Sequence, residues 1–124
     1  MKKLTLITLL ISTILFCAAA TRLHPEKFYQ EKWCKEQNGK TEYMLPDKTR
    51  CDCLTATHAV EFDFGNKWAE AIGQSLYYSL QTGKKAGIVL ILEKESDYKY
   101  WIRLNTTIDH FNIPIDVWLI EGEK

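Results

Sequence analysis

Apolar and polar positions alternate along this chain in two periods. Trp68, Ile72, Leu76 and Leu80 recur every four residues, which predicts a helix over 67–81 with this stripe buried and Gly83 as its stop. Val60, Phe62 and Phe64 alternate with Glu61 and Asp63, so 58–64 is expected to be a strand with one apolar and one acidic face. The uninterrupted GIVLIL at 87–92 is the pattern of a strand covered on both faces. Pro25 and Asn38-Gly39 bracket a first helix over 26–37. Strands are expected at 41–45 and 49–54 around a Pro46-Asp47-Lys48 turn, and the second should form a hairpin with 58–64. A helix over 98–111 and a last strand over 113–120 complete an α-β-β-β-α-β-α-β order. That order predicts an α/β protein with a mixed central sheet flanked by helices.

The first 20 residues stand apart from this pattern. Lys2 and Lys3, the apolar run 4–16 and Ala18-Ala19-Ala20 have the layout of a secretory signal peptide cleaved after Ala20. The apolar run is short of the roughly 20 residues a membrane span needs, and Phe16 before Cys17 does not suit lipoprotein processing. The expectation is an exported chain, periplasmic or extracellular, with no stable membrane insertion after cleavage and one domain over 21–124. Without Lys2 and Lys3 the 16 basic residues become 14 against 16 acidic ones, a formal charge of −2. That argues against broad electrostatic binding of nucleic acid, which leaves a basic footprint. Cys34, Cys51 and Cys53 then remain. Cys34 is expected to pair with one of the other two, leaving one thiol. The C-x-C spacing without a nearby His does not suit zinc.

The candidate chemistry lies between Arg50 and Tyr78. Glu61 and Asp63 share a strand face, and Asp52 lies on the neighbouring strand. Lys67, Ala71, Gln74 and Tyr78 follow at helical spacing, on a face distinct from the Trp68 stripe. Carboxylates grouped with an ammonium, an amide and a phenol suit a hard divalent ion such as Mg²⁺, which prefers oxygen ligands. Such an ion can activate water and stabilise the charge that develops on a phosphodiester. Glu42, on the first strand, is a possible further carboxylate ligand, and Glu31, in the first helix, is another candidate acid. Asp47 is set aside because its place is a turn. An ordinary solvated strand face has the same spacing. His58 at the start of its strand, His24 and His110 suggest little chemistry. Tyr98, Tyr100, Trp101 and Arg103 suit base stacking or a half-buried helix face equally.

At these residues the chain resembles a known family. Asp52…Glu61-x-Asp63 on a hairpin, followed by a helix with Gln74-x-x-x-Tyr78, resembles the PD-(D/E)XK nuclease superfamily, and the Gln-x-x-x-Tyr element resembles its RecB-like exonucleases. The resemblance covers about residues 26–120 and implies a restriction-endonuclease-like core. It implies that Asp52 and Glu61, assisted by Asp63, bind Mg²⁺ or Mn²⁺, with Gln74 and Tyr78 near a nucleic-acid substrate. The family's lysine stands two residues after the Glu, where this chain has Asp63; Lys67, a helical turn later, is the candidate catalytic cation. The rival expectation is a non-catalytic binding or interaction module on the same fold, directed at an envelope or host partner.

Overall fold

Pro25, in an extended conformation, opens the first helix, α1 (Glu26–Glu36), and Asn38 ends the turn after it with a left-handed φ of 53°. The computed structural model describes residues 21–122, so the expected signal peptide lies outside the described residues. After α1 come β1 (Lys40–Met44), β2 (Arg50–Leu54) and β3 (His58–Phe64). The 3₁₀ turn Gly65–Lys67 then leads into α2 (Trp68–Thr82), followed by β4 (Lys85–Leu92). A second 3₁₀ turn, Glu95–Asp97, precedes α3 (Tyr98–Phe111), and β5 (Ile115–Glu121) completes the order. Gly83, at φ 69°, ends α2 where a left-handed residue is needed.

The five strands form one mixed sheet in the order β1-β2-β3-β4-β5. β1, β2 and β3 run antiparallel as a meander; β3, β4 and β5 are parallel, joined through α2 and α3. Strand β4 is buried on both faces, as its unbroken apolar run predicts. Val89 and Ile91 pack toward α1 with Tyr29, Cys34, Val60, Phe62 and Phe64. Ala86, Ile88, Leu90 and Leu92 pack on the opposite side with Ala71 of α2 and with Leu104 and Ile108 of α3. The result is an α/β/α arrangement with α1 on one face and α2 and α3 on the other. Among the described residues, no helix is long and apolar enough to cross a membrane.

The expected stripe on α2 is corrected. Its buried residues are Ala71, Ser75 and Tyr78; Trp68, Ile72 and Leu76 are half-buried beside them, and Leu80 is 77% exposed. Small side chains let the helix approach the sheet closely, so the larger ones flank the contact and Leu80 runs off its edge. The bounds of β1 are also shifted by one residue: Leu45 lies just past the strand and is buried with Cys51, Ala59 and Tyr78.

Cys34 of α1 is disulfide-bonded to Cys53 of β2, with their Cα atoms 5.8 Å apart, and Cys51 is the buried free thiol. Gly39 passes directly over this bond. A Cβ there would lie 2.6 Å from Cys53 Sγ and 2.7 Å from Cys34 Sγ, so no side chain fits.

Candidate functional site

The acidic positions gather where the β2–β3 ladder ends. The two strands pair at Leu54↔Ala59 and Cys53↔Val60. Beyond those pairs the Phe62 N–H donates to Asp52 Oδ2 at 2.8 Å, so a carboxylate takes over from the ladder. Glu61 and Asp63 flank Phe62 on the opposite face of β3, the side that α2 covers. Each is 5% exposed. Glu61 Oε2 and Asp63 Oδ2 are buried with no hydrogen-bond partner. An ionised carboxylate withdrawn from water without a partner costs several kcal/mol, so native interiors seldom hold two together. Their presence marks this place as a functional-site candidate.

The electrostatics follow from that crowding. Burial, then Asp52 and Asp63, hold the Glu61 carboxyl far above the usual range, and a hydrogen bond with Asp52 adds to the effect. Asp52 is also raised, by burial first and by Glu42 last, against the Phe62 N–H and the bond with Glu61. Glu61 and Asp52 thus behave as two carboxyl groups sharing a proton. Burial and Asp52 push Asp63 up to about 7, with Lys67 opposing and Glu70 adding.

Sequence reasoning missed Glu26, which belongs to this group. It opens α1, and burial followed by Asp52 and Asp63 pushes it up to about 7, again against Lys67. The signal for it lay in the helix face: Glu26, Gln30 and Cys34 are spaced i, i+4, i+8. The other helix candidate, Glu31, is exposed and pairs with Lys27 at 3.6 Å.

The structure brings Lys67 and Tyr78 to the carboxylates. Lys67, at the end of the Gly65–Lys67 turn, is the cation that both Asp63 and Glu26 sense. Tyr78 is buried, and its phenol is pushed up to about 12 by burial and then by Glu61 and Asp52. Gln74 is exposed, and Ser75 is the α2 residue buried against the sheet in that turn. Glu42 is exposed on β1, yet its charge is felt at both Asp52 and Glu26. Asp47 is occupied elsewhere: the Thr49 N–H and hydroxyl donate to it at 3.0 and 2.6 Å, and the Tyr77 hydroxyl also donates to it. His58 sits at the far end of β3, its Nε2 2.6 Å from Asp116 Oδ2 and its Nδ1 2.7 Å from Thr57 Oγ1.

The donors available here are hard carboxylate oxygens, two of them free and facing α2. That chemistry fits Mg²⁺ or Mn²⁺ and not a soft metal. As the side chains stand, no three His, Cys, Asp or Glu residues among those described form a finished ligand cage. Burial and mutual repulsion favour protonation of Glu61 and Asp52 where no counter-charge is at hand. No family model matches the chain, and no curated protein or solved structure matches it either.

Proposed function

We propose that this protein is an exported, divalent-cation-dependent phosphodiester hydrolase of the nuclease type. One observation carries the reading: the buried Glu61 and Asp63 carboxylates, each with an unpartnered oxygen, stand beside Asp52 at the end of the β2–β3 ladder. Asp52, Glu61 and Asp63 would hold Mg²⁺ or Mn²⁺ through oxygen, and that ion would supply an activated water and charge neutralisation at a phosphate. Lys67 would stabilise negative charge developing on the phosphate, its ammonium lying where it already acts on Asp63 and Glu26. Tyr78 would close the inner wall as a neutral hydroxyl; Gln74, at the exposed surface of α2, would meet substrate outside it.

The strand order supports the reading at the level of fold. A five-stranded mixed sheet in sequence order, with β2 antiparallel to its neighbours and acids on β2 and β3, is the arrangement expected of a restriction-endonuclease-like core. The buried Cys34–Cys53 disulfide supports export, since such bonds persist in oxidising compartments.

A second reading rests on Asp63. An acid stands two residues after Glu61, where a catalytic ammonium is expected, and residues 21–124 carry a formal charge of −2. A non-catalytic binding module for an envelope or host partner would have both features. Incubating the purified protein with single- and double-stranded DNA and RNA in Mg²⁺ or Mn²⁺ separates the two. Hydrolysis that disappears in Asp52→Ala and Glu61→Ala, with folding retained, is expected of the nuclease. No cleavage of any of these substrates across pH 6–9 would leave the binding module.

A further inference from the structure

We propose that Gln30 is a positioning residue that holds the Glu42 carboxylate across the end of the β2–β3 ladder, making Glu42 part of the cation site. This inference rests on the metal reading above. Gln30 is only 2% exposed, on the α1 face that packs against the sheet. Its side-chain amide donates at 2.8 Å to the backbone carbonyl of Asp52 and at 3.1 Å to Glu42 Oε1. An amide nitrogen has two protons, and one contact for each joins α1, β2 and β1 at a single part-buried point.

The backbone of Glu42 is an independent observation. The pairs Thr41↔Cys53 and Tyr43↔Cys51 keep β1 in register with β2 on either side of Glu42. Between them Glu42 has φ 51°, in the left-handed region that a residue with a side chain seldom enters within a strand. Such conformations persist where surrounding contacts hold them, and they cluster at functional sites. The contact here is the Gln30 amide. Its consequence is positional: one amide group holds the Glu42 carboxylate beside the backbone of Asp52.

The same helix face sets the position of Gln30. Glu26, Gln30 and Cys34 are one turn apart, spanning about 12 Å at 1.5 Å per residue. Cys34 is bonded to Cys53, the residue after Asp52, so α1 is fastened to β2 one turn beyond Gln30. α1 therefore lies as a strut along β2, fixed by the disulfide at one end, clamped by Gln30 in the middle, and presenting Glu26 to the carboxylates at the other. A surface glutamate on a solvated strand would need none of this.

Titration of the oxidised protein with Mn²⁺, followed by calorimetry, tests the role. Gln30→Met keeps the volume and removes both donors; it is expected to weaken Mn²⁺ binding about tenfold, the usual scale for loss of an outer partner of a metal ligand. Glu42→Gln is expected to weaken it similarly. The double variant should lose little more than either single one, because both remove the same carboxylate. A merely structural Gln30 would lower stability in both backgrounds and leave no such coupling. Unchanged affinity in a folded Gln30→Met, or fully additive losses, overturns the inference while leaving the metal reading intact. Wild-type protein that binds no Mn²⁺ overturns both. Should Gln30→Met fail to fold, Glu42→Gln decides on its own, since Glu42 is exposed and its replacement leaves the core untouched: unchanged affinity there is equally fatal.

Discussion

Glu61 is a buried acid whose charged form the fold disfavours in the absence of a cation. Burial, Asp52 and Asp63 all favour the protonated carboxyl. Glu61→Gln, which mimics that neutral form, should therefore change the stability of the metal-free protein at pH 7 by less than about 1 kcal/mol. The same substitution should abolish Mn²⁺ binding. Denaturant unfolding and calorimetry on one preparation measure the two effects. A loss of several kcal/mol from Glu61→Gln would mean that the carboxylate is ionised and paired, against the present account. Asp63 gives a pH dependence with a definite sign. Its folded value of about 7 stands above its ordinary 3.8, so the folded chain binds the proton more tightly than the unfolded chain. The resulting stability is complete below about pH 4 and lost as pH rises through 7. Asp63 alone sets an upper bound of about 4 kcal/mol, at 1.36 kcal/mol per unit. Glu26 acts in the same direction. With metal withheld, the melting temperature should fall between pH 5 and pH 8, and Asp63→Asn should flatten that slope.

At the scale of elements, two packing contacts can be tested. The Cys34–Cys53 bond ties residues 19 apart, a loop whose closure is worth about 3 kcal/mol in the chain-entropy account. Replacing both cysteines by Ala should cost about that much in urea unfolding. Gly39→Ala, whose Cβ would meet both sulfur atoms, should be destabilising by about 1–3 kcal/mol. On α2 the contrast is sharper. Leu80→Ala should be neutral within about 0.5 kcal/mol, as for other exposed positions, whereas Ile88→Ala in β4 should cost about 2–5 kcal/mol. Leu80 also shows where the sequence was legible and where it was not. Helix α3 runs over Tyr98–Phe111, as expected, and β4 is buried on both faces, because period and composition are local signals. The buried face of α2 was not readable: Ala71 and Ser75 lie against the sheet for their small size, which a hydrophobicity pattern does not register. The site was partly legible for the same reason. Glu61 and Asp63 share a strand and follow from its alternation. Glu26 and Gln30 reach the same place from a helix, through a tertiary contact that no spacing within β2 or β3 could reveal.

At the scale of the molecule, the carboxylates conflict with the rest of the fold in the absence of a counter-charge. Three strands and one helix converge at Asp52, Glu61, Asp63, Glu26 and Glu42, and Lys67 is the cation that Asp63 and Glu26 register. Protons supply the missing positive charge at low pH; a divalent ion would supply it at high pH. The two would compete for the same oxygens, because metal binding requires deprotonated ligands. Added Mn²⁺ should therefore stabilise the protein strongly at pH 8 and weakly at pH 5. At a concentration one hundred times its dissociation constant, a ligand of the folded state adds about 2.7 kcal/mol. For a domain of this size that is a rise in melting temperature on the order of 10 °C at pH 8. Glu61→Gln should remove the rise, and Lys67→Met should enlarge it, because removing the ammonium leaves the carboxylates with less competition for the incoming cation. Equal Mn²⁺ shifts at pH 5 and pH 8, or no shift at either, would separate the buried acids from cation binding. Their weakened acidity would then have to be explained by packing alone.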